Sequence, residues 1–187
     1  MKILVIIGST RVNRNADRVK TWLNHQLQGN DRVAYEMVDL RDIKLPFYDE
    51  VKSVAGLDYS EYNHPEAVAW GKQVESADGF IFVTPEYNRG PPAVLKNAID
   101  YAWEGWNHKP MNIISYSTGQ TAGVRAAEQL RITSFGVKLL PLPAAVHIAH
   151  VSDAIDENGK ATDGRANKSL ASLTEELTFI ADKLKED

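Results

Sequence analysis

Two apolar patterns alternate along the chain: short unbroken runs, and longer stripes that recur every three or four residues. Ile3 to Ile7 is a continuous run, as expected of a strand buried on both faces. Ala16, Val19, Leu23 and Leu27 then supply the inner stripe of a helix, with Trp22 at one margin and Gly29-Asn30 as its stop. A second strand is expected over Arg32 to Leu40. Arg41 to Asn63 shows no clean period and reads as a long irregular loop, a class often used as lids or interface elements. Pro65 through Ala77 predicts a helix, Gly79 to Val83 a strand, and Val94, Leu95, Ala98, Ile99 and Ala102 a helix opened by Pro91-Pro92. Met111 to Tyr116 is a fourth strand and Gly123 to Phe135 a helix. Val137 to Leu140 with Ala144 to Ile148 form the last strand region. Leu170, Leu173, Leu177, Ile180 and Leu184 stripe a final amphipathic helix.

This alternation predicts a three-layer α/β/α domain: a five-stranded parallel sheet with helices on both faces and right-handed crossovers. The flavodoxin-like strand order 2-1-3-4-5 places the switch point between the first and third strands. The loops after Ile7 and Val83 then flank one crevice at the carboxyl edge, where open α/β sheets bind ligands. Those loops are also among the most polar in the chain.

Composition narrows the possibilities. With 187 residues and 43% hydrophobic content, residues 1–187 are expected to form one domain. A net charge of −4 argues against a nucleic-acid or anionic-membrane surface. Cysteine is absent, which excludes disulfides, thiolate metal sites and cysteine nucleophiles. It also excludes the low-molecular-weight phosphatases, which share this topology. Met1 to Ile7 is too short for a signal segment and no span reaches membrane length, so a cytoplasmic protein is expected.

Gly8-Ser9-Thr10-Arg11-Val12-Asn13-Arg14-Asn15 brings a glycine, two hydroxyls and two arginines to a helix amino terminus. Backbone N–H groups, a helix dipole and guanidinium forks are what a phosphate needs. Neither a P-loop nor a dinucleotide fingerprint is present, so a mononucleotide phosphate is favoured. A capped βα turn with solvated arginines is the plainer reading. In Thr84-Pro85-Glu86-Tyr87-Asn88, a fixed proline, polar Glu86 and Asn88, and aromatic Tyr87 suit a flat heteroaromatic ring with a polar rim; a decorated surface turn also accounts for them. Ser117-Thr118-Gly119-Gln120-Thr121-Ala122-Gly123 offers small residues and exposed amides, or simply another βα turn.

The phrase from Thr84 to Tyr101 resembles the flavin-loop signature of the NADPH-dependent FMN reductase family, whose members include quinone, azo-dye and chromate reductases. Ser9 and Arg11 match that family's Gly-Ser-x-Arg phosphate motif, whereas Asn13-Arg14-Asn15 departs from what usually follows. The third loop matches Ser-x-Gly-x-x-Gly-Gly except that Ala122 replaces a glycine. The resemblance covers about Met1 to Ile148. It implies FMN as cofactor, NADPH or NADH as hydride donor, and a small-molecule acceptor: a quinone, azo compound, free flavin or metal oxyanion. It implies phosphate contacts from Ser9, Arg11, Arg14 and Asn15. Ring contacts fall to Pro85, Glu86, Tyr87 and Asn88, and to Ser117, Thr118, Gly119 and Gln120 at the other edge. No catalytic acid–base dyad is implied, because the cofactor carries the chemistry. The alternative is a flavodoxin-type electron carrier that does not itself oxidise NAD(P)H.

The remaining features have plainer readings. The five histidines are scattered without helical ligand spacing to a carboxylate, and a strand would put His147 and His150 on opposite faces, so no metal site is expected. Asp156-Glu157-Asn158-Gly159 reads as a turn. Tyr59, Tyr62, Trp103 and Trp106 are expected to leave apolar surface near the crevice. With the family's habit of assembly, they suggest a homodimer or homotetramer.

Overall fold

The computed structural model describes residues 1–185. Five strands, β1 (Lys2–Ile7), β2 (Ala34–Asp39), β3 (Gly79–Pro85), β4 (Pro110–Tyr116) and β5 (Leu140–Ile148), form one parallel sheet in the order β2-β1-β3-β4-β5. The main helices are α1 (Ala16–Leu27), α3 (Pro65–Glu75), α4 (Ala93–Asp100), α5 (Val124–Gly136) and α7 (Arg165–Lys183). Short α2 (Leu40–Ile43) and α6 (Val151–Ala154) follow β2 and β5. Among the described residues no helix is long and apolar enough to cross a membrane.

Side-chain alternation along the strands divides the interior in two. Leu4 and Ile6 of β1 join Phe80 and Phe82 of β3 under α3, α4 and α5. Ile3, Val5 and Ile7 face the other way with Ile81 and Val83, under α1 and α7. The first core is aromatic at its centre, where Trp106 meets Phe80 edge-on at 4.6 Å between ring centroids and Trp70 at 5.9 Å. Trp70 and Trp106 each donate an indole N–H to a backbone carbonyl of α4, Ala98 and Ile99 respectively.

Several sequence expectations need correction. Trp22 is not marginal: it is fully buried between α1 and α7, and its Nε1 donates to Asn167 Oδ1 at 2.8 Å. Tyr62 and Trp106 are core residues, so the aromatic surface used to argue for assembly does not exist at those positions; Tyr59 and Trp103 are half-buried. The stretch from 41 to 63 takes in the last three residues of α2 and a 3₁₀ turn, Tyr59–Glu61, and is tied down. Asn97 of α4 accepts from the Tyr48 N–H and donates to the Pro46 carbonyl, and the Tyr62 hydroxyl donates to the Tyr101 carbonyl. β5 is one strand from Leu140, while Val137 to Leu139 belong to the preceding connection, where Lys138 is left-handed. Pro141 and Pro143 are tolerated because β5 is an edge strand, and Arg131 donates to the carbonyls of Leu142 and Pro143. Asp156 does form a turn, its carboxylate accepting from the N–H groups of Asn158 and Lys160.

Candidate functional site

The strand order brings the loops after β1, β3 and β4 together at the carboxyl edge. Gly8 crosses so close to β3 that its N–H reaches the Val83 carbonyl at 2.8 Å, and a Cβ there would lie 2.8 Å from Leu95 Cδ2. A side chain there would also crowd the Val83 carbonyl at 3.0 Å, so glycine favours this approach. A cleft of about 250 Å³ opens between the loops, lined by Ser9, Arg11, Arg14 and Asn15 from the first, Pro85, Glu86 and Tyr87 from the second, and Ser117 and Thr118 from the third. Wider depressions exist, including one of about 460 Å³ between Gln26 and Thr174 at the opposite edge, but it lacks this convergence of loops.

Asn15 at the head of α1 makes no side-chain cap, and although the Asp17 N–H reaches the Arg14 carbonyl at 3.3 Å, the Ala16 and Arg18 N–H groups make no backbone hydrogen bond among the described residues. Ser9 is buried, with its Oγ 2.8 Å from the Tyr87 hydroxyl. When Tyr87 donates, the serine proton is left for the Tyr116 oxygen or for an anion. Arg11 is exposed and lies over the Tyr87 ring, 6.0 Å from its centroid, and enters no ion pair among the described residues.

Arg14 behaves differently from the expectation. Its guanidinium is bidentate to Asp39, which lies at the end of β2; it also bonds Asp17 and donates to the Ser9 carbonyl. Four of its five N–H donors are hydrogen-bonded in this way, and its side chain is only 2% exposed. The guanidinium is committed inside the protein and is not presented to a phosphate. Burial opposes the Arg14 charge, yet Asp39 and Asp17 raise its pKa. Burial likewise pushes Asp39 upward, but bonds from Arg14, the Arg41 N–H and Lys20 bring it down to about 2. Because the folded value lies below the unfolded one, the pair stabilises fully above about pH 4 and loses that contribution as pH falls toward 2.

Glu86 is only 10% exposed and pairs with Arg125 Nη1, while its other oxygen accepts the Arg125 backbone N–H at 3.2 Å. It therefore caps the start of α5 and ties the second loop to the third. Asn88 does not line the cleft. With φ values of 49° and 71°, Asn88 and Arg89 form the tip of a two-residue turn closed by paired hydrogen bonds between Tyr87 and Gly90. Gly119 and Gln120 are exposed and also lie outside the lining. Ala122 is buried and left-handed at φ 52°, and its carbonyl accepts from buried Ser115 Oγ at 2.7 Å, which ties the third loop to β4. Gly123 next to it has no such freedom: φ is 76° and a Cβ would meet the Tyr116 carbonyl at 3.0 Å.

Sequence reasoning missed Tyr116, Asn13 and Arg125. Tyr116 ends β4 under the cleft, where burial pushes its phenol well above the ordinary range and keeps it protonated. Arg125 immediately follows the third loop, which was the available signal. His147 is held by Ser115 Oγ at 2.7 Å; His150 lies beyond the strand in a left-handed conformation, with Nδ1 3.1 Å from the Thr118 carbonyl. Asp49, Glu50 and His64 bring ligand-type atoms within 4.8 Å of one another, a grouping that sequence spacing hides. Each has an internal partner: His64 Nε2 lies 2.8 Å from Asp49, and Glu50 accepts from Asn63.

The sequence profile of the NADPH-dependent FMN reductases matches residues 1–153. The chain belongs to that family. A Schizosaccharomyces pombe protein named NAD(P)H-dependent FMN reductase is 41% identical over 143 residues, spanning 76% of this chain and 70% of its own. A 2-hydroxy-1,4-benzoquinone reductase of a Burkholderia species is 32% identical, covering 91% of this chain and 90% of its own. The flavoenzyme NAD(P)H:acceptor oxidoreductase FerB of Paracoccus denitrificans shares the fold, with a TM-score of 0.75 at 23% identity, covering 99% and 97% of the two chains.

The cleft of this family member fits FMN at both ends. An uncapped helix start, Ser9 and Arg11 supply anion donors. Pro85 and Tyr87 offer flat surface, with Ser117 and Thr118 opposite.

Proposed function

We propose that this FMN-dependent NAD(P)H oxidoreductase reduces small acceptors, quinones and azo compounds foremost, at an open cleft formed by its three carboxyl-edge loops. The observation that carries this reading is the convergence of an anion-binding helix start and an aromatic, polar-rimmed wall on one crevice. Bound FMN supplies the redox chemistry, taking a hydride from the nicotinamide and delivering electrons to the acceptor. The protein binds and orients. Ser9 and Arg11 hold the phosphate, Pro85, Glu86 and Tyr87 border the ring, and Ser117 and Thr118 meet its other edge. Arg14 and Asn88 act on loop shape instead, and Gly119 and Gln120 on the approach to the cleft. Relatives named as a quinone reductase of Pseudomonas putida and an NADPH azoreductase of a Bacillus species support the acceptor class. One face must serve donor and acceptor in turn, so steady-state rates with NADPH and a benzoquinone are expected to be ping-pong. Intersecting double-reciprocal lines would show that both bind at once and would contradict the shared face.

Glu86 is a positioning residue in this account, since its carboxylate is already committed to Arg125. Glu86→Gln keeps an oxygen for the Arg125 N–H. In the flavin-loaded variant, flavin reduction by NADPH is expected to stay within about tenfold of wild type in stopped flow, whereas losing a general acid or base costs about 10²–10⁴-fold. A hundredfold loss would assign chemistry to Glu86.

The same reading takes the chain as one domain working in the cytoplasm, where the nicotinamide pool is supplied. It assembles as a homodimer or homotetramer. With the aromatic cluster buried, the support moves to Phe47 and Val51, which are 79% and 96% exposed on the loop packed against α4. Light scattering at micromolar concentration is expected to give at least twice the 20.8 kDa chain mass; a monomer mass overturns assembly.

A further inference from the structure

The first loop has two carbonyls held by arginine side chains, one from the loop itself and one from α2. Arg14 Nη1 donates to the Ser9 carbonyl, and Arg41 Nη2 donates to the Arg11 carbonyl at 3.0 Å. A planar trans peptide points its C=O and the following N–H in opposite directions. Fixing these two carbonyls therefore turns the N–H groups of Thr10 and Val12 away from the guanidiniums. Neither N–H donates a backbone hydrogen bond among the described residues. Asp39 registers both arms at once: its carboxylate takes the Arg14 fork, and Oδ1 also accepts the Arg41 backbone N–H at 3.1 Å. Asp17 adds a second bridge, bonding Arg14 and lying 3.5 Å from Arg41 Nη2.

We propose that Arg14, Asp39 and Arg41 form a carbonyl clamp that aims the Thr10 and Val12 amides at the phosphate of FMN, which makes them positioning residues for the phosphate end of the cleft. This rests on the FMN reading above. Arg14 and Arg41 are each met by a carboxylate, so the clamp supplies orientation and leaves the uncommitted guanidinium at the cleft to Arg11. A contact that merely stapled β2 to the loop before α1 would not need a second arginine, Arg41, on another carbonyl of the same loop.

The consequence is selective. Riboflavin carries the same ring without the phosphate, so disturbing the clamp weakens FMN binding and leaves riboflavin binding alone. Arg41→Ala is the main variant, because its side chain is 40% exposed and its loss leaves the Arg14–Asp39 pair in place. Asp39→Asn is the second. Dissociation constants for both flavins, measured by fluorescence quenching, are expected to show FMN weakened about tenfold in Arg41→Ala, the size of one charge-assisted hydrogen bond. Riboflavin is expected to stay within about twofold. The loss persists at about 0.5 M salt, where the attraction of an exposed charge is screened. Unchanged FMN affinity, equal losses for the two flavins, or a loss that vanishes with salt each overturns the clamp. Wild-type protein that binds both flavins equally overturns it while leaving the flavin site standing; binding of neither overturns both.

Discussion

Alanine at position 14 is expected to cost the fold about 3 kcal/mol, the lower end of what breaking a buried ion pair costs. The reason is Asp39, whose side chain is 5% exposed and would lose the guanidinium that takes both its oxygens. Lys20 still reaches it at 3.2 Å, which keeps the cost at that lower end. For a chain of this size the loss corresponds to a fall in Tm of about 6–12 °C. Replacing both partners, Arg14→Leu with Asp39→Leu, is expected to recover most of it, since apolar pairs often substitute for buried ion pairs at little cost. Thermal denaturation of the two variants is the check. An unchanged Tm in Arg14→Ala would return Arg14 to the list of groups free to meet a phosphate.

Arg11→Ala is expected to do the opposite: leave stability alone and lose cofactor. Arg11 is exposed and enters no ion pair among the described residues, so its removal strands no buried group. Among the described residues its charge is an uncommitted guanidinium beside the uncapped start of α1. A charge-assisted contact of about 1.5–3 kcal/mol converts to roughly ten- to over a hundredfold in FMN affinity. The measurement pairs a dissociation constant with a melting curve. Unaltered affinity removes Arg11 from the phosphate site, and a large fall in Tm would mean that it acts through the fold.

The contrast between these two arginines marks where sequence reading reached its limit. Both stand three residues apart in one polar loop, and nothing local separates them. What separates them is Asp39, 25 residues from Arg14 and brought alongside only because β2 pairs with β1. Strands such as Ile3–Ile7 were legible because burial on both faces leaves an unbroken apolar run. The loop from 41 to 63 was not, since Asn97 and Tyr101 of a later element hold it through hydrogen bonds that leave no period. The loops after β1 and β3 could be placed at the crevice from topology, and the third through the family resemblance. Their individual side chains could not: Asn88 looked like a ring contact but shapes a tight turn, and Glu86, expected at the polar rim of the ring, is committed to the start of α5 through Arg125. His64 met Asp49 and Glu50 only through the same folded loop.

The central claim is that this chain, once loaded with FMN, takes hydride directly from a nicotinamide. The direct measurement is anaerobic addition of NADPH or NADH to the purified, flavin-loaded protein with no other protein present. Rapid and complete loss of the yellow flavin absorbance, restored by adding a benzoquinone, is the predicted result. Absorbance that persists until a separate reductase is added would contradict it and make the protein an electron carrier.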